Sequence, residues 1–232
     1  MKTSCASILR ALKKLYNKKN LEGMARYGIN TKNALGISIY VLREMAASIG
    51  KNHLLAQELW NTGIHEAMLL AVFTEEPEKV SQAQMESWVK DFDSWDLCDQ
   101  ACTDLFDQTP FAYKKAAQWS GRGEEFVKRA GFSLIAGLAV HDKKASDEEF
   151  VRLFPIIKRE SCDERNYVKK AVNWALRNIG KRSTGLNKAA ISLAKEIMGI
   201  DSKTAKWVAA DALRELTSEK VQKRLKIKIN HR

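Results

Sequence analysis

The sequence predicts an all-α protein in which helix pairs stack into a curved solenoid. The 232-residue chain contains only 3 prolines and 12 glycines, so few residues interrupt helices. Apolar residues recur at helical spacing, and no stretch shows the sustained period-two alternation of a β-strand. The C-terminal half also repeats a helix pair about every 40 residues, which is typical of stacked helical repeats.

The N-terminal half is predicted to be a succession of helices. Residues 3–18 form an amphipathic helix with leucine and isoleucine on one stripe and lysines opposite. Thr31 is predicted to cap a long helix over residues 32–49, which ends at Gly50. Five more helices follow, over residues 54–60, 64–73, 81–90, 94–106 and 110–119. Ser94 or Asp93 caps the fourth of these, and Pro110 suits the first turn of the fifth.

The C-terminal half repeats itself. Phe126, Tyr167 and Thr204 begin similar helices, predicted over residues 126–140, 167–179 and 204–216, and their starts are separated by 41 and 37 residues. One further helix lies between each pair, over residues 148–157 and 186–198. This period predicts HEAT- or armadillo-like repeats. The polar links between the helices are short, so we predict one domain over residues 1–232.

The net charge of +11 indicates a polyanionic partner, nucleic acid before membrane. A chain that is merely basic is the alternative. No apolar run approaches the ~20 residues of a membrane span. The N-terminus alternates leucine with lysine, unlike a secretory signal, so we expect a cytoplasmic protein associated with the nucleoid through DNA.

Nothing in the sequence predicts a metal or a nucleotide cofactor. The four cysteines form no CxxC pair, and we expect buried, reduced thiols. His65-Glu66 does not continue into the HExxH zinc motif, and neither Gly121 nor Gly180 belongs to a complete phosphate-binding loop.

Basic residues recur at equivalent places in the repeats and are predicted to form a stripe along the solenoid. They are Lys128, Arg129, Lys169, Lys170 and Lys206, followed one or more turns later by Arg177, Lys181, Arg182 and Arg214. Such a stripe suits a phosphate backbone better than a small ligand. We assign Trp88 and Trp207 to the core.

Trp95 and Asp99 are four residues apart on a predicted helix and therefore share a face. A carboxylate beside an aromatic ring is unexpected on a chain that attracts polyanions, and stabilisation of a cationic centre would explain it. The alternative is that Trp95 packs in a core while Asp99 pairs with a lysine.

The chain resembles the AlkD-type DNA alkylation repair glycosylases, which are built from HEAT-like helical repeats. The resemblance extends from about residue 28 to residue 216. It rests on four blocks in order, LWNTGIHEA at 59–67, WDLCD at 95–99, KRAGF at 128–132 and NYVKKAVNWALR at 166–177.

The resemblance implies that Trp95, Asp99 and Trp174 form the catalytic cleft and that Arg129 contacts the DNA backbone beside the lesion. Members of the wider superfamily that lack the catalytic Trp and Asp are not expected to excise bases, whereas this chain keeps both. The family also places an N-terminal aromatic near DNA, and Tyr16 and Tyr27 both stay open for that role. The family holds the lesion by gripping the backbone, without a base pocket.

The chemistry of base release agrees with these residue types. Alkylation at N3 of adenine or N7 of guanine makes the base cationic, and its departure leaves positive charge on the deoxyribose. A fixed carboxylate stabilises that charge and orients water, while indole faces attract the same cation.

The sequence thus predicts a monofunctional glycosylase that acts as a monomer on double-stranded DNA carrying alkylated purines, since no lysine is placed as a Schiff-base nucleophile. A non-catalytic helical-repeat module that binds DNA or an acidic partner is the first alternative. A protein-scaffolding solenoid with buried tryptophans is the second.

Overall fold

A computed structural model describes residues 4–230 and divides the chain into two compact units, Met1–Phe111 and Ala112–Arg232. Every regular element described is helical. The prediction of a single domain over residues 1–232 stays a prediction. Within residues 4–230, no helix has both the length and the apolar character needed to cross a membrane.

The described residues of the first unit form seven α-helices. They are α1 (Cys5–Lys14), α2 (Lys18–Arg26), α3 (Ile39–Ile49), α4 (His53–Trp60), α5 (His65–Thr74), α6 (Gln82–Trp88) and α7 (Trp95–Asp104). Helix α5 is buried along nearly its whole length and packs against α3, α4 and α7. The rings of Trp60 and Trp88 stack with centroids 3.9 Å apart, and both are buried, which confirms Trp88 as a core residue.

In the second unit, eight α-helices lie within the residues that the structure describes. They are α8 (Ala112–Trp119), α9 (Glu125–His141), α10 (Asp147–Val151), α11 (Phe154–Glu160), α12 (Asn166–Gly180), α13 (Thr184–Met198), α14 (Lys203–Leu216) and α15 (Glu219–Asn230). The three predicted repeat helices are neighbours in space, because α12 packs against both α9 and α14. Gly131 lets α9 approach the end of α8 closely, since a Cβ there would lie 2.4 Å from the Ser120 nitrogen.

The predicted helix over residues 32–49 is wrong in its first part. Helix α3 begins only at Ile39, where the Ser38 side chain accepts a hydrogen bond from the Val41 amide. Gly36 has φ +77°, and the buried Glu66 carboxylate accepts hydrogen bonds from the amides of residues 35–37, so that their N–H groups are not available to a helix. We call residues 27–38 the α2–α3 loop.

Several other boundaries differ from the prediction. Pro110 precedes α8 by two residues and does not lie in its first turn. The first helix ends at Lys14 and a second, α2, follows Asn17, whose side chain accepts from the Asn20 amide. Residue 3 of the predicted first helix lies outside the described residues. The predicted helix over 148–157 is split into α10 and α11, because Pro155 occupies the first turn of α11 and donates no backbone hydrogen bond. Helix α15 was not predicted.

All four cysteines are free thiols, but only two of them are buried as predicted. Cys98 and Cys102 lie on the buried side of α7, and burial raises the pKa of the Cys102 thiol. Cys5 and Cys162 are partly exposed.

Candidate active site

Trp95 and Asp99 lie one turn apart on α7, and both are partly exposed. The helix turns its apolar side, which includes Leu97 and Cys98, towards the core and against α5, so the two candidate residues lie at the margin of the buried side. Ser94 precedes the helix in an extended conformation and is itself fully buried. The start of α7 is thereby fixed at Trp95.

The indole of Trp95 is oriented by the α2–α3 loop. Its Nε1 donates a hydrogen bond of 2.9 Å to the carbonyl oxygen of Tyr27. The Asn30 side chain donates to the carboxylate of Asp93, two residues before Trp95, at 2.7 Å. The α2–α3 loop therefore binds both Trp95 and the segment around Asp93 that precedes α7.

His65 and Asp96 form a pair that sequence reasoning did not find. His65 Nε2 lies 2.9 Å from Asp96 Oδ2, and the His65 side chain is 5% exposed. Burial lowers the pKa of His65, but the hydrogen bond and charge of Asp96 outweigh this and raise it above its ordinary value. Burial likewise favours the neutral Asp96 carboxyl, yet His65 holds the pKa of Asp96 below its ordinary value. The pair is thus an imidazolium and a carboxylate between the ordinary values of the two groups, 3.8 and 6.5.

A cavity of about 770 Å³ opens beside Trp95 within the first unit. Helix α2, the α2–α3 loop, α5 and α7 all contribute to its wall, which is largely apolar. Trp95 and the His65–Asp96 pair lie in that wall, and Lys19 and Arg26 supply cations. Among the described residues, no group of three or more His, Cys, Asp or Glu side chains is placed to hold a metal ion.

Trp174 belongs to the second unit, where it lies on α12 and is partly exposed. The residue before it, Asn173, is buried and donates from Nδ2 to the Val208 carbonyl at 2.9 Å. That hydrogen bond fixes α12 against α14 at the level of the tryptophan. Trp174 is therefore carried by a rigid part of the second unit.

Arg129 is not on the surface. It is 6% exposed, and its Nη1 donates to the Tyr167 carbonyl at 2.7 Å, which joins α9 to α12. The guanidinium thus takes part in the packing between two repeat helices. Its role as a contact to the DNA backbone stays a prediction.

Carboxylates break up the predicted cationic stripe. Lys128 Nζ lies between Glu160 and Asp163, 3.2 Å from the Asp163 carboxylate, and its side chain is 12% exposed. Burial opposes ionisation of Asp163, but hydrogen bonds from Arg165 and Lys128 lower its pKa to about 2. The positive charge of Lys128 is therefore balanced by two carboxylates of the protein itself.

Three further members of the stripe are held in similar ways. Arg177 and Lys181 share the carboxylate of Glu215, with Lys181 Nζ at 2.6 Å. Arg182 donates to the Ala145 carbonyl at 2.7 Å, and its guanidinium lies 4.6 Å from the ring centroid of Phe150. The sequence did not anticipate these partners, since each pair is separated by more than 30 residues along the chain.

Lys169 and Lys170 differ from the other members of the stripe. Lys170 is exposed, and Lys169 Nζ lies 5.4 Å from the ring centroid of Trp207. Trp207 is 42% exposed, so its assignment to the core was wrong. Its side chain lies on the outer side of α14, while the neighbouring Val208 is the residue that packs inward.

Comparison with known proteins identifies the family to which the chain belongs. The family model of the DNA alkylation repair enzymes matches residues 8–221. The chain belongs to this family of DNA alkylation repair enzymes. The resemblance noted from four sequence blocks is therefore confirmed, and the match includes the helices that carry Trp95, Asp99 and Trp174.

The fold of this chain is similar to that of a solved structure. The solved protein belongs to a new family of proteins related to the HEAT-like repeat DNA glycosylases with affinity for branched DNA structures. The two chains are 20% identical, the match covers 91% of this chain and 95% of the other, and the TM-score is 0.76. The predicted fold class, an all-α solenoid of HEAT-like helix pairs, is confirmed.

Two other comparisons add little. One is with a designed armadillo repeat protein in complex with a (KR)4 peptide, which is 14% identical to this chain. The match covers 82% of this chain and 90% of the other, with a TM-score of only 0.32. No curated protein matches the chain.

Proposed function

We propose that this member of the DNA alkylation repair family is a monofunctional DNA glycosylase that releases cationic alkylated purines from double-stranded DNA. The observation that carries the proposal is the pair of Trp95 and Asp99, one turn apart at the exposed margin of α7. The substrates are N3-methyladenine and N7-methylguanine, together with chemically related adducts.

The reaction breaks the bond between C1′ of the deoxyribose and the purine nitrogen. The electron pair of that bond goes to the cationic base, which leaves as a neutral molecule, and positive charge develops on the sugar. Water then adds to C1′ and loses a proton, so that the products are the free base and an abasic site. Because the leaving group is already cationic, the reaction needs no protonation of the base.

Asp99 is proposed to stabilise the positive charge of the sugar and to orient the attacking water. A preorganised charge of this kind contributes about 3–4 kcal/mol to a transition state. The catalytic role of Trp174 stays a prediction. The indole of Trp95 is proposed to lie beside the sugar and to contribute about 1 kcal/mol through its negative face. The hydrogen bond from Trp95 to Tyr27 supports this, because it fixes the ring before substrate arrives.

The DNA backbone is proposed to bind the basic side chains of the second unit. Lys169 and Lys170 are the best placed, because the Lys170 side chain is exposed and the Lys169 ammonium lies over the exposed ring of Trp207. Lys128, Arg129, Arg177, Lys181 and Arg182 bind other protein groups and are proposed to contribute less.

A second candidate function is DNA binding without base excision. The observation that favours it is the solved relative, which is described as having affinity for branched DNA. A protein that only binds DNA needs the basic surface, whereas a carboxylate beside Trp95 would repel the DNA phosphates and weaken binding. The presence of Asp99 is the reason to place excision first.

A duplex containing one N7-methylguanine separates the two functions. We expect free N7-methylguanine in the supernatant and an intact DNA strand that breaks only after hot alkali, because a monofunctional enzyme leaves an abasic site. Strand breakage without alkali would show lyase activity and contradict the monofunctional assignment. No released base, with DNA binding intact in a mobility-shift assay, would favour the binding module.

A further inference from the structure

Trp207 differs from the other tryptophans of the chain. The indoles of Trp60, Trp88 and Trp119 are buried, and those of Trp95 and Trp174 are partly exposed, whereas Trp207 is 42% exposed. Leaving an indole in water forgoes the burial energy that most tryptophans provide to a fold. An exposed tryptophan on a rigid element is therefore a candidate for binding.

The element that carries Trp207 is held firmly. Ala205, Val208 and Ala209 on α14 are fully buried, and the Val208 carbonyl accepts the hydrogen bond from Asn173 of α12. Lys169 Nζ, also on α12, lies 5.4 Å from the centroid of the indole, within the range of a cation–π contact. The ring is thus held between solvent and α12, with the Lys169 ammonium over one of its faces.

The surroundings of the ring are cationic. Exposed side chains on α14 and α12 near it in sequence or in space are Lys170, Lys203, Lys206 and Arg214. Two carboxylates accompany them, since Asp201 lies 3.4 Å from Lys206 and Asp211 binds Arg214 and Arg177. Ala210, one turn after Trp207, is exposed and small, which leaves space beside the ring.

We propose that Trp207 and the lysines around it form a stacking platform for an unpaired base of single-stranded DNA. A base stacks on an exposed indole while its flanking phosphates bind lysines, and this combination is the usual means of binding single strands without sequence preference. Paired bases of a duplex are already stacked and present only their edges, so the platform discriminates between tailed or branched DNA and a blunt duplex. A protein partner fits less well, because charged residues are depleted at the centre of protein interfaces.

This inference goes beyond the proposed function, because it requires DNA binding but no base excision. Its test therefore uses undamaged DNA. A fluorescently labelled blunt duplex is compared with the same duplex extended by a single-stranded tail of about ten nucleotides, a length within the site sizes of single-strand binders. Affinities are measured by anisotropy for the wild type, Trp207→Ala, Trp207→Phe and Lys206→Ala.

We expect the wild type to prefer the tailed duplex. Trp207→Ala should weaken binding of the tailed duplex by about fivefold to a hundredfold and leave the blunt duplex within about twofold, and Trp207→Phe should retain part of the preference. Lys206→Ala is the matched charge variant. It should weaken the tailed duplex mainly at low salt, because it removes a phosphate contact and no stacking surface, whereas the loss in Trp207→Ala should persist at high salt.

Equal loss on both DNAs in Trp207→Ala would overturn the platform, since the ring would then support the fold or the duplex site. No change on either DNA would also overturn it and would favour a protein partner for this surface. In a separate assay on the same variants, release of N7-methylguanine is measured from a blunt duplex that carries one such base. Its absence would contradict the proposed glycosylase and leave the platform standing.

Discussion

Trp95 is oriented by Tyr27, through the hydrogen bond of 2.9 Å from the indole Nε1 to the Tyr27 carbonyl oxygen. The acceptor belongs to the α2–α3 loop and not to a helix, so the position of the proposed catalytic ring depends on how well that loop is held. The buried Glu66 holds it, because one carboxylate accepts hydrogen bonds of 2.8, 2.7 and 3.2 Å from the amides of Leu35, Gly36 and Ile37. A residue of the core thereby supports the candidate active site from a distance.

Glu66→Gln should therefore weaken both the fold and the activity. The amide side chain keeps one acceptor oxygen and brings an NH2 group against backbone donors, so we expect the free energy of unfolding to fall by about 3 kcal/mol. Urea denaturation measures it. Glu44→Gln, an exposed residue of the same unit, is the control and should change stability by less than about 0.5 kcal/mol. Equal stability of the wild type and Glu66→Gln would show that the Glu66 carboxylate does not hold the α2–α3 loop.

The His65–Asp96 pair should make stability depend on pH. The folded pKa of His65 is raised, so the contribution of the pair is full below the ordinary histidine value of 6.5 and declines as pH rises through the folded pKa. The folded pKa of Asp96 is lowered, so its contribution is present above 3.8 and is lost as pH falls through the folded value.

We therefore expect Asp96→Asn to cost about 1–3 kcal/mol near pH 6 and less near pH 9, where only a neutral hydrogen bond remains to be lost. Unfolding of both proteins in urea at several pH values measures the difference. If the difference in unfolding free energy between the two proteins grew with pH, the raised pKa of His65 would be contradicted.

Asp163 should stabilise the second unit except in acid. Its pKa of about 2 lies below the ordinary value of 3.8, so its contribution of about 2–3 kcal/mol is present above pH 4 and is lost as pH falls towards 2. Asp163→Asn should therefore be destabilised at pH 6 and nearly equal to the wild type near pH 2. Glu196→Gln removes the exposed pair with Lys158 and should cost less than about 1 kcal/mol at any pH.

The basic residues of the second unit should contribute unequally to DNA binding. Lys170 is exposed, so Lys170→Ala should reduce the slope of log affinity against log salt concentration by about 0.9. Lys128 is neutralised by Glu160 and Asp163, so Lys128→Ala should leave the slope nearly unchanged. Titrations of a labelled duplex at several salt concentrations measure both slopes, at a temperature at which both variants are folded. Equal reductions would indicate that Lys128 leaves its carboxylates to bind phosphate.

The sequence was informative where contacts are local. The repeat helices were predicted to within one or two residues at Phe126, Tyr167 and Thr204, because helical periodicity and caps are encoded over a few positions. The α2–α3 loop was missed because Glu66 binds its backbone from about 30 residues away. The same reason applies to the carboxylates that neutralise Lys128 and Arg177.

The candidate site was also predicted unevenly. Trp95 and Asp99 follow from an i, i+4 spacing that any helix realises, and the structure places both at an exposed margin. His65 stood in the block LWNTGIHEA and in a motif that failed as a zinc site, and nothing in the sequence joins it to Asp96. Trp207 was assigned to the core because a buried tryptophan needs no further explanation, but residue 207 falls on the outer face of α14.

The central claim is that Asp99 stabilises the sugar cation during base release. Single-turnover release of N7-methylguanine from a duplex, for the wild type, Asp99→Asn and Asp104→Asn, tests it most directly. Asp104 lies on the same helix and binds Arg43 at 2.9 Å, so its variant removes an equal charge from α7 at a position away from Trp95. We predict that Asp99→Asn slows release by about a hundredfold or more while binding DNA as well or better, and that Asp104→Asn resembles the wild type. Release by Asp99→Asn at the wild-type rate would contradict the account.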